Sequence, residues 1–179
     1  MLVDRGAQGW ISASIKLGAI LRHGLSPHTR YSHAAIVYDV PDKGPARIAE
    51  ATARGEVHLS YLDKYASSHY DVVHTKVTDA EWVEVKKFLD SVIDARTRYG
   101  YLTYAGLTLY ALTGTRLCVQ TAGTATCSGL VCDALTRKGI VWKRPPYACT
   151  PADISAQLQL DGPPLRRAAR AGSAAAPCA

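Results

Sequence analysis

Thr124-Ala125-Thr126-Cys127-Ser128-Gly129-Leu130-Val131-Cys132-Asp133-Ala134-Leu135 is a short polar lead-in that runs into an amphipathic helix beginning at a cysteine. Cys127, Leu130, Val131, Ala134 and Leu135 fall at i, i+3, i+4, i+7 and i+8, one face of a helix. Arg137 and Lys138 occupy the expected last turn and Gly139 the position just beyond it, so both ends are marked. The spacing therefore predicts Cys127 in the first turn. There the unpaired N–H groups and the positive end of the helix dipole favour a thiolate over a thiol, and the thiolate is the nucleophile. The plain alternative is a small buried hydrophobe that starts a helix, because free cysteine is among the most buried residue types.

Upstream, Tyr31-Ser32-His33 opens the apolar, β-prone run 34–40, which reads as a central strand. Pro41-Asp42-Lys43-Gly44-Pro45 turns the chain, and 46–52 reads as a second strand returning as a hairpin, with Ile48, Glu50 and Thr52 on one face. Glu50 lies among small apolar neighbours, and a carboxylate there needs a partner to offset its burial. In such a hairpin His33 and Glu50 lie at the same end of the sheet. Taken singly, His33 also reads as a strand-end histidine bonded to backbone, and Glu50 as a surface residue on an edge strand.

The remaining elements supply architecture. Residues 2–4 read as a short strand, 6–9 as a turn, and 10–21 as a helix with Ile11, Ile15, Gly18 and Ala19 on one face and Ser12, Ser14 and Lys16 towards solvent. Ser26-Pro27-His28 marks a loop over 25–30. Residues 57–59 read as a third strand, 60–65 as a helical turn capped by Ser60, and 71–77 as a strand. Thr78-Asp79-Ala80-Glu81 is a capping box, and Trp82, Val85, Leu89, Val92 and Ile93 form the buried stripe of a helix ending near Arg98. A more apolar helix spans 102–112, with Tyr104 and Tyr110 as packing residues. Residues 139–142 read as a short strand or extended segment, and Thr150-Pro151-Ala152-Asp153 starts the last helix.

A chain of 179 residues with 47% apolar content is the size of one domain. That domain is assigned to 1–160. From 161 to 179 the composition turns to Gly, Pro, Ala and Arg without a period, which reads as a flexible basic tail. The net charge of +6 is modest and no helix carries a basic stripe with interleaved aromatics, so nucleic acid is not an expected partner. His58, His69 and His74 are scattered and Cys127-x4-Cys132 is not a zinc spacing, so no metal site is expected, and no cofactor. Five cysteines without regular spacing read as reduced thiols. No apolar run is long enough to cross a bilayer, and the first residues lack signal-peptide order; the expected location is the cytoplasm.

Five stretches together carry a resemblance: Tyr31-Ser32-His33-Ala34-Ala35-Ile36-Val37, Ala49-Glu50-Ala51, Arg98-Tyr99-Gly100-Tyr101-Leu102, Cys127-Ser128-Gly129-Leu130-Val131 and Thr150-Pro151-Ala152-Asp153. The chain resembles the permuted papain-like amidase family, the circularly permuted branch of the NlpC-type cysteine peptidases, in which histidine precedes cysteine. The resemblance covers about 10–159. It implies an α+β fold with a small antiparallel sheet packed against helices in permuted papain-like order. It also implies Cys127 as nucleophile, His33 as base and Glu50 as the third polar residue; Tyr99 matches a recurrent tyrosine. The approach from Tyr101 to Cys127, which includes Cys118-Val119-Gln120, is an insertion with no counterpart. The related lecithin retinol acyltransferases carry Asn-Cys-Glu-His where this chain has Thr-Cys-Ser-Gly.

The expected function is a cysteine-dependent hydrolase, an amidase or peptidase that works by thiolate attack and an acyl-enzyme. Its expected partner is a peptide or acyl substrate. A cell-wall-type peptide is one such substrate, reached by lysis or carriage on a particle. The alternatives are an ester or thioester hydrolase or acyltransferase on the same three residues, a non-catalytic binding or structural module of this fold, and a redox pair Cys127/Cys132. Helix geometry places the last two side chains about 140° apart, which opposes a direct disulfide.

Overall fold

The computed structural model describes residues 1–4, 10–53, 55–113 and 121–159. In chain order the first elements are strand β1 (Leu2–Asp4), helix α1 (Trp10–His23), and strands β2 (His33–Ala34), β3 (Ile36–Asp39), β4 (Arg47–Ala51), β5 (Val57–Tyr61) and β6 (His69–Asp71). Helix α2 (Asp79–Asp94), strand β7 (Arg98–Tyr99), helix α3 (Tyr101–Thr113), strand β8 (Thr124–Ala125), helix α4 (Cys127–Arg137) and helix α5 (Pro151–Gln159) follow. Short 3-10 turns cover Pro27–Arg30, Leu62–Tyr65 and Pro146–Ala148. The molecule is α+β: two three-stranded antiparallel sheets, ordered β2-β1-β6 and β3-β4-β5, pack with the helices, and β7 and β8 form a parallel pair.

The run expected as one central strand is two edge strands. It changes partner at Ala35: His33 and Ala34 pair with β1, whereas Ile36 and Val37 pair with β4. Ala35 exchanges both backbone hydrogen bonds with Met1, its N–H to Met1 O at 3.0 Å and its carbonyl to the Met1 amine at 2.9 Å. No stretch of 33–39 is paired on both sides, so the two ladders meet end to end along it. The expected hairpin of β3 and β4 does form, and β5 adds to it with Glu50 opposite His58.

Helix α4 is the centre of the packing. Leu130 and Ala134 are fully buried, and the helix touches α2, α5, β2, β4 and the turn Pro146–Ala148. Val85 and Leu89 of α2 and Ile154 of α5 meet it in one core cluster. A leucine buried as completely as Leu89 or Leu130 stabilises the fold by about 2–3 kcal/mol. The C-terminal end of α4 closes as the sequence predicts: Gly139 has φ 87°, its N–H donates to Thr136 O at 2.9 Å, and Ile140 N–H donates to Leu135 O at 3.2 Å. Among the described residues no helix is long and apolar enough to cross a membrane.

Several local expectations are corrected. Ser60 does not cap the turn after β5; that turn has Tyr61 at its N-cap without a side-chain bond, and Ser60 turns to Glu50 instead. The strand expected over 71–77 ends at Asp71, where its ladder with β1 stops at Leu2. Helix α2 ends at Asp94 because Arg96 takes a left-handed φ of 49°. The loop over 25–30 contains a 3-10 turn, and of the two readings of 139–142 the strand does not form; Trp142 is tied by its indole N–H to Cys132 O at 3.0 Å. Ser12 and Ser14 do not face water, since Ser12 is buried and Ser14 bonds the Tyr104 hydroxyl, while Lys16 pairs with Asp4. The expected turn at 6–9, Cys118 and the tail at 161–179 lie outside the described residues.

Candidate active site

Cys127 is the first residue of α4 and is 3% exposed. Thr126 caps the helix: its backbone is extended, and its Oγ1 accepts from Gly129 N–H at 3.1 Å. A Cβ on Gly129 would come within 2.9 Å of that same oxygen, so the cap needs glycine at this position. Ser128 Oγ donates to Cys149 O at 2.6 Å and fastens the first turn to the segment after Pro146–Ala148. The cysteine is thus held from both sides of the helix start.

His33 is the first residue of β2, opposite Val3, and is 4% exposed. Its Nε2 lies 2.9 Å from Glu50 Oε2, and the imidazole and the Cys127 thiol are close enough for each to shift the other's titration. The backbone N–H groups of Ala34 and Ser128 also favour the thiolate. The structure therefore brings Cys127, His33 and Glu50, named from the sequence, into one buried chain of contacts.

Glu50 has no solvent exposure, and its partners come from β2, β5 and the turn after β5. Besides His33 it accepts from Tyr65 Oη at 2.6 Å and from Ser60 Oγ and Lys64 Nζ, and His58 Nε2 lies 3.7 Å from Oε1. Sequence reasoning missed Ser60, Lys64, Tyr65 and His58. Two of them leave a signal in the strand alternation, since His58 sits opposite Glu50 and Ser60 opposite Ile48, a diagonal neighbour. Lys64 and Tyr65 arrive through the 3-10 turn after β5 and leave none.

Burial pushes the Glu50 carboxyl up, but bonds from His33, Lys64, Ser60 and Tyr65 outweigh it and hold the carboxyl well below the usual carboxylate range. Burial by itself lowers the His33 pKa, and the bonds to Cys127 and Glu50 reverse that and raise it. Cys127 follows the mirror logic: burial raises its pKa, while His33 and the Ala34 and Ser128 N–H groups bring it below an ordinary thiol. The arrangement favours a thiolate beside an imidazolium.

Cys127 opens onto a pocket walled by α1, α3, Tyr99 and the start of α5. The other thiols on this side are different in kind. Cys132 and Cys149 are buried free thiols, and burial followed by the neighbouring Cys149 pushes Cys132 far above the thiol range. His28 bonds Ser155 Oγ at 2.9 Å, and His69 and His74 are exposed; none of the three joins the cluster. Among the described residues no group of three or more His, Cys, Asp or Glu side chains is arranged to hold a metal ion. No protein-family model, no curated protein and no solved structure matches the chain.

Proposed function

We propose that the chain is a cysteine hydrolase of the amidase or peptidase type, in the circularly permuted papain-like order of the NlpC-type enzymes. The observation that carries the reading is the buried relay from the Cys127 thiol through the His33 imidazole to Glu50. A buried carboxylate with four hydrogen-bond donors, one of them the imidazole that faces a helix-start thiol, is more than packing requires.

His33 takes the Cys127 proton, and the thiolate attacks the substrate carbonyl to form a C–S bond. Glu50 and Lys64 carry opposite charges, and moving the proton from Cys127 to His33 creates one charge of each sign beside them. The cluster is electrically neutral before and after the transfer. The Cys127 backbone N–H, at the helix start, is one donor for the oxyanion, a role typically worth about 3 kcal/mol. Imidazolium then protonates the leaving amine as the C–N bond breaks. Water activated by His33 hydrolyses the thioester and restores the thiol. Esters and thioesters are chemical variants of the same step.

The test is to trap the acyl-enzyme. On incubation with activated amides and esters, Cys127 is expected to gain the mass of the acyl group, located by peptide mapping and absent in Cys127→Ala. A Cys127 that takes up no acyl group, and below pH 7 alkylates no faster than a free model thiol, overturns the reading in favour of a binding module.

A further inference from the structure

The pocket beside Cys127 is walled by Ile15 and Gly18 of α1, Leu107 and Thr108 of α3, Tyr99 and Pro151, and among the described residues no Asp, Glu, Lys, Arg or His side chain lines it. Its polar groups are turned to one another. The Ser14 and Tyr104 hydroxyls are bonded together, Thr108 Oγ1 donates to Tyr104 O at 3.0 Å, and Thr150 Oγ1 and Asp153 Oδ2 share a bond in the α5 cap. A carboxylate or ammonium entering here loses its water and, away from the Cys127–His33 pair, gains no counter-charge from the described residues, which is costly. The space that can be filled is about 40 Å³. Since a single water needs roughly 10–15 Å³ by this measure, that is room for about three or four non-hydrogen atoms.

We infer that the pocket selects a short, uncharged, apolar substituent next to the scissile carbonyl, with Leu107 and Thr108 setting the preference. This deepens the cysteine-hydrolase reading and rests on it. Acyl groups of propionyl to valeryl size, or a valine-like side chain, fit the pocket. The carboxylate-bearing and amine-bearing residues of a cell-wall stem peptide do not.

The experiment has one arm without turnover and one with it. In the first, the rate of Cys127 labelling by propyl, sulfonatoethyl and trimethylammonioethyl methanethiosulfonate is followed by peptide mass spectrometry, each rate divided by that for free cysteine. Propyl is expected to exceed both charged reagents by tenfold or more. Thr108→Arg should raise the sulfonatoethyl rate about tenfold relative to propyl, while the near-isosteric Thr108→Val keeps the wild-type order and controls for folding. Leu107→Trp should slow propyl by filling the space. Charged reagents that label as fast as propyl, or a Thr108→Arg variant with an unchanged order, overturn the inference.

In the second arm, hydrolysis of p-nitrophenyl esters from acetyl to decanoyl is expected to peak between propionyl and valeryl. A flat profile, or one rising to decanoyl, overturns the size limit. If no ester or amide is turned over while the labelling order holds, the hydrolase reading fails and the apolar pocket stands.

Discussion

Cys127 and Cys132 lie five residues apart on one helix and are 3% and 0% exposed, yet the structure drives their thiols in opposite directions. Burial raises both. At Cys127 an imidazole and two backbone N–H groups overcome it; at Cys132 the neighbours are a second thiol and the carboxylates of Asp133 and Asp153, which add to it. What separates the two thiols on this helix is therefore the partner supplied by the sheet. Helix position is a smaller contribution, typically below about 1 kcal/mol for a charge at a helix end.

The comparison breaks most completely at Cys127 itself. Cys127→Ser is expected to lower turnover of an activated ester by about 10⁴-fold or more, whereas Cys132→Ala should leave it within about twofold, both read from steady-state kinetics. Glu50→Gln ranks next. It leaves Lys64 without its counter-charge and cannot accept all the buried donors, so denaturant unfolding near neutral pH should show a loss of about 3 kcal/mol. The sign of the pH effect follows from the depressed carboxyl: its contribution is fully present above the unfolded value of 4.5 and is lost as pH falls through the lower folded value. The gap between wild type and Glu50→Gln should accordingly narrow as pH drops below 4.5.

His33→Ala would turn Cys127 into a second Cys132. Without the imidazole, burial dominates, and alkylation of Cys127 at pH 6 should slow by about 10²-fold while Cys132 stays unreactive in both proteins. The pH dependence of the pair has two limbs. The raised His33 contributes stability that is fully present below 6.5 and lost as pH rises through its folded value. The lowered Cys127 contributes above 9.0, and that is lost as pH falls through its own folded value. The smallest effect belongs to the helix start. Gly129→Ala pushes a methyl against Thr126 Oγ1 and loosens the cap, which should cost about 1 kcal/mol in thermal unfolding and slow Cys127 alkylation only modestly.

Features written locally in the chain were legible in the sequence. The boxes at Thr78/Glu81 and Thr150/Asp153 form as the spacing predicts, because a cap closes within one turn and needs no distant partner. The bounds of α4 and the β3–β4 hairpin were readable for the same reason. What escaped was the choice of distant partners. The run 33–39 has the composition of a central strand, but composition does not say that β1 takes one end and β4 the other. Val72 and Val73 are β-prone and still leave the sheet where their ladder ends. At the site, residue type and spacing single out Cys127, His33 and Glu50 as candidates, and only the resemblance joins them into one set. The crowding of Ser60, Lys64 and Tyr65 around Glu50 was not legible, because it depends on how the 3-10 turn after β5 folds back over the sheet.

The partner change at Ala35 ties the position of His33 to β1. Ser32 N–H donates to Val3 O and Ala35 N–H to Met1 O, both at 3.0 Å, so the two amides that bracket His33 exchange with solvent only when β1 peels away. Their hydrogen-exchange protection is a gauge of how much of the time the imidazole is docked on the sulfur. By the same token, distorting residues 1–4 should loosen His33 from Cys127 from a distance.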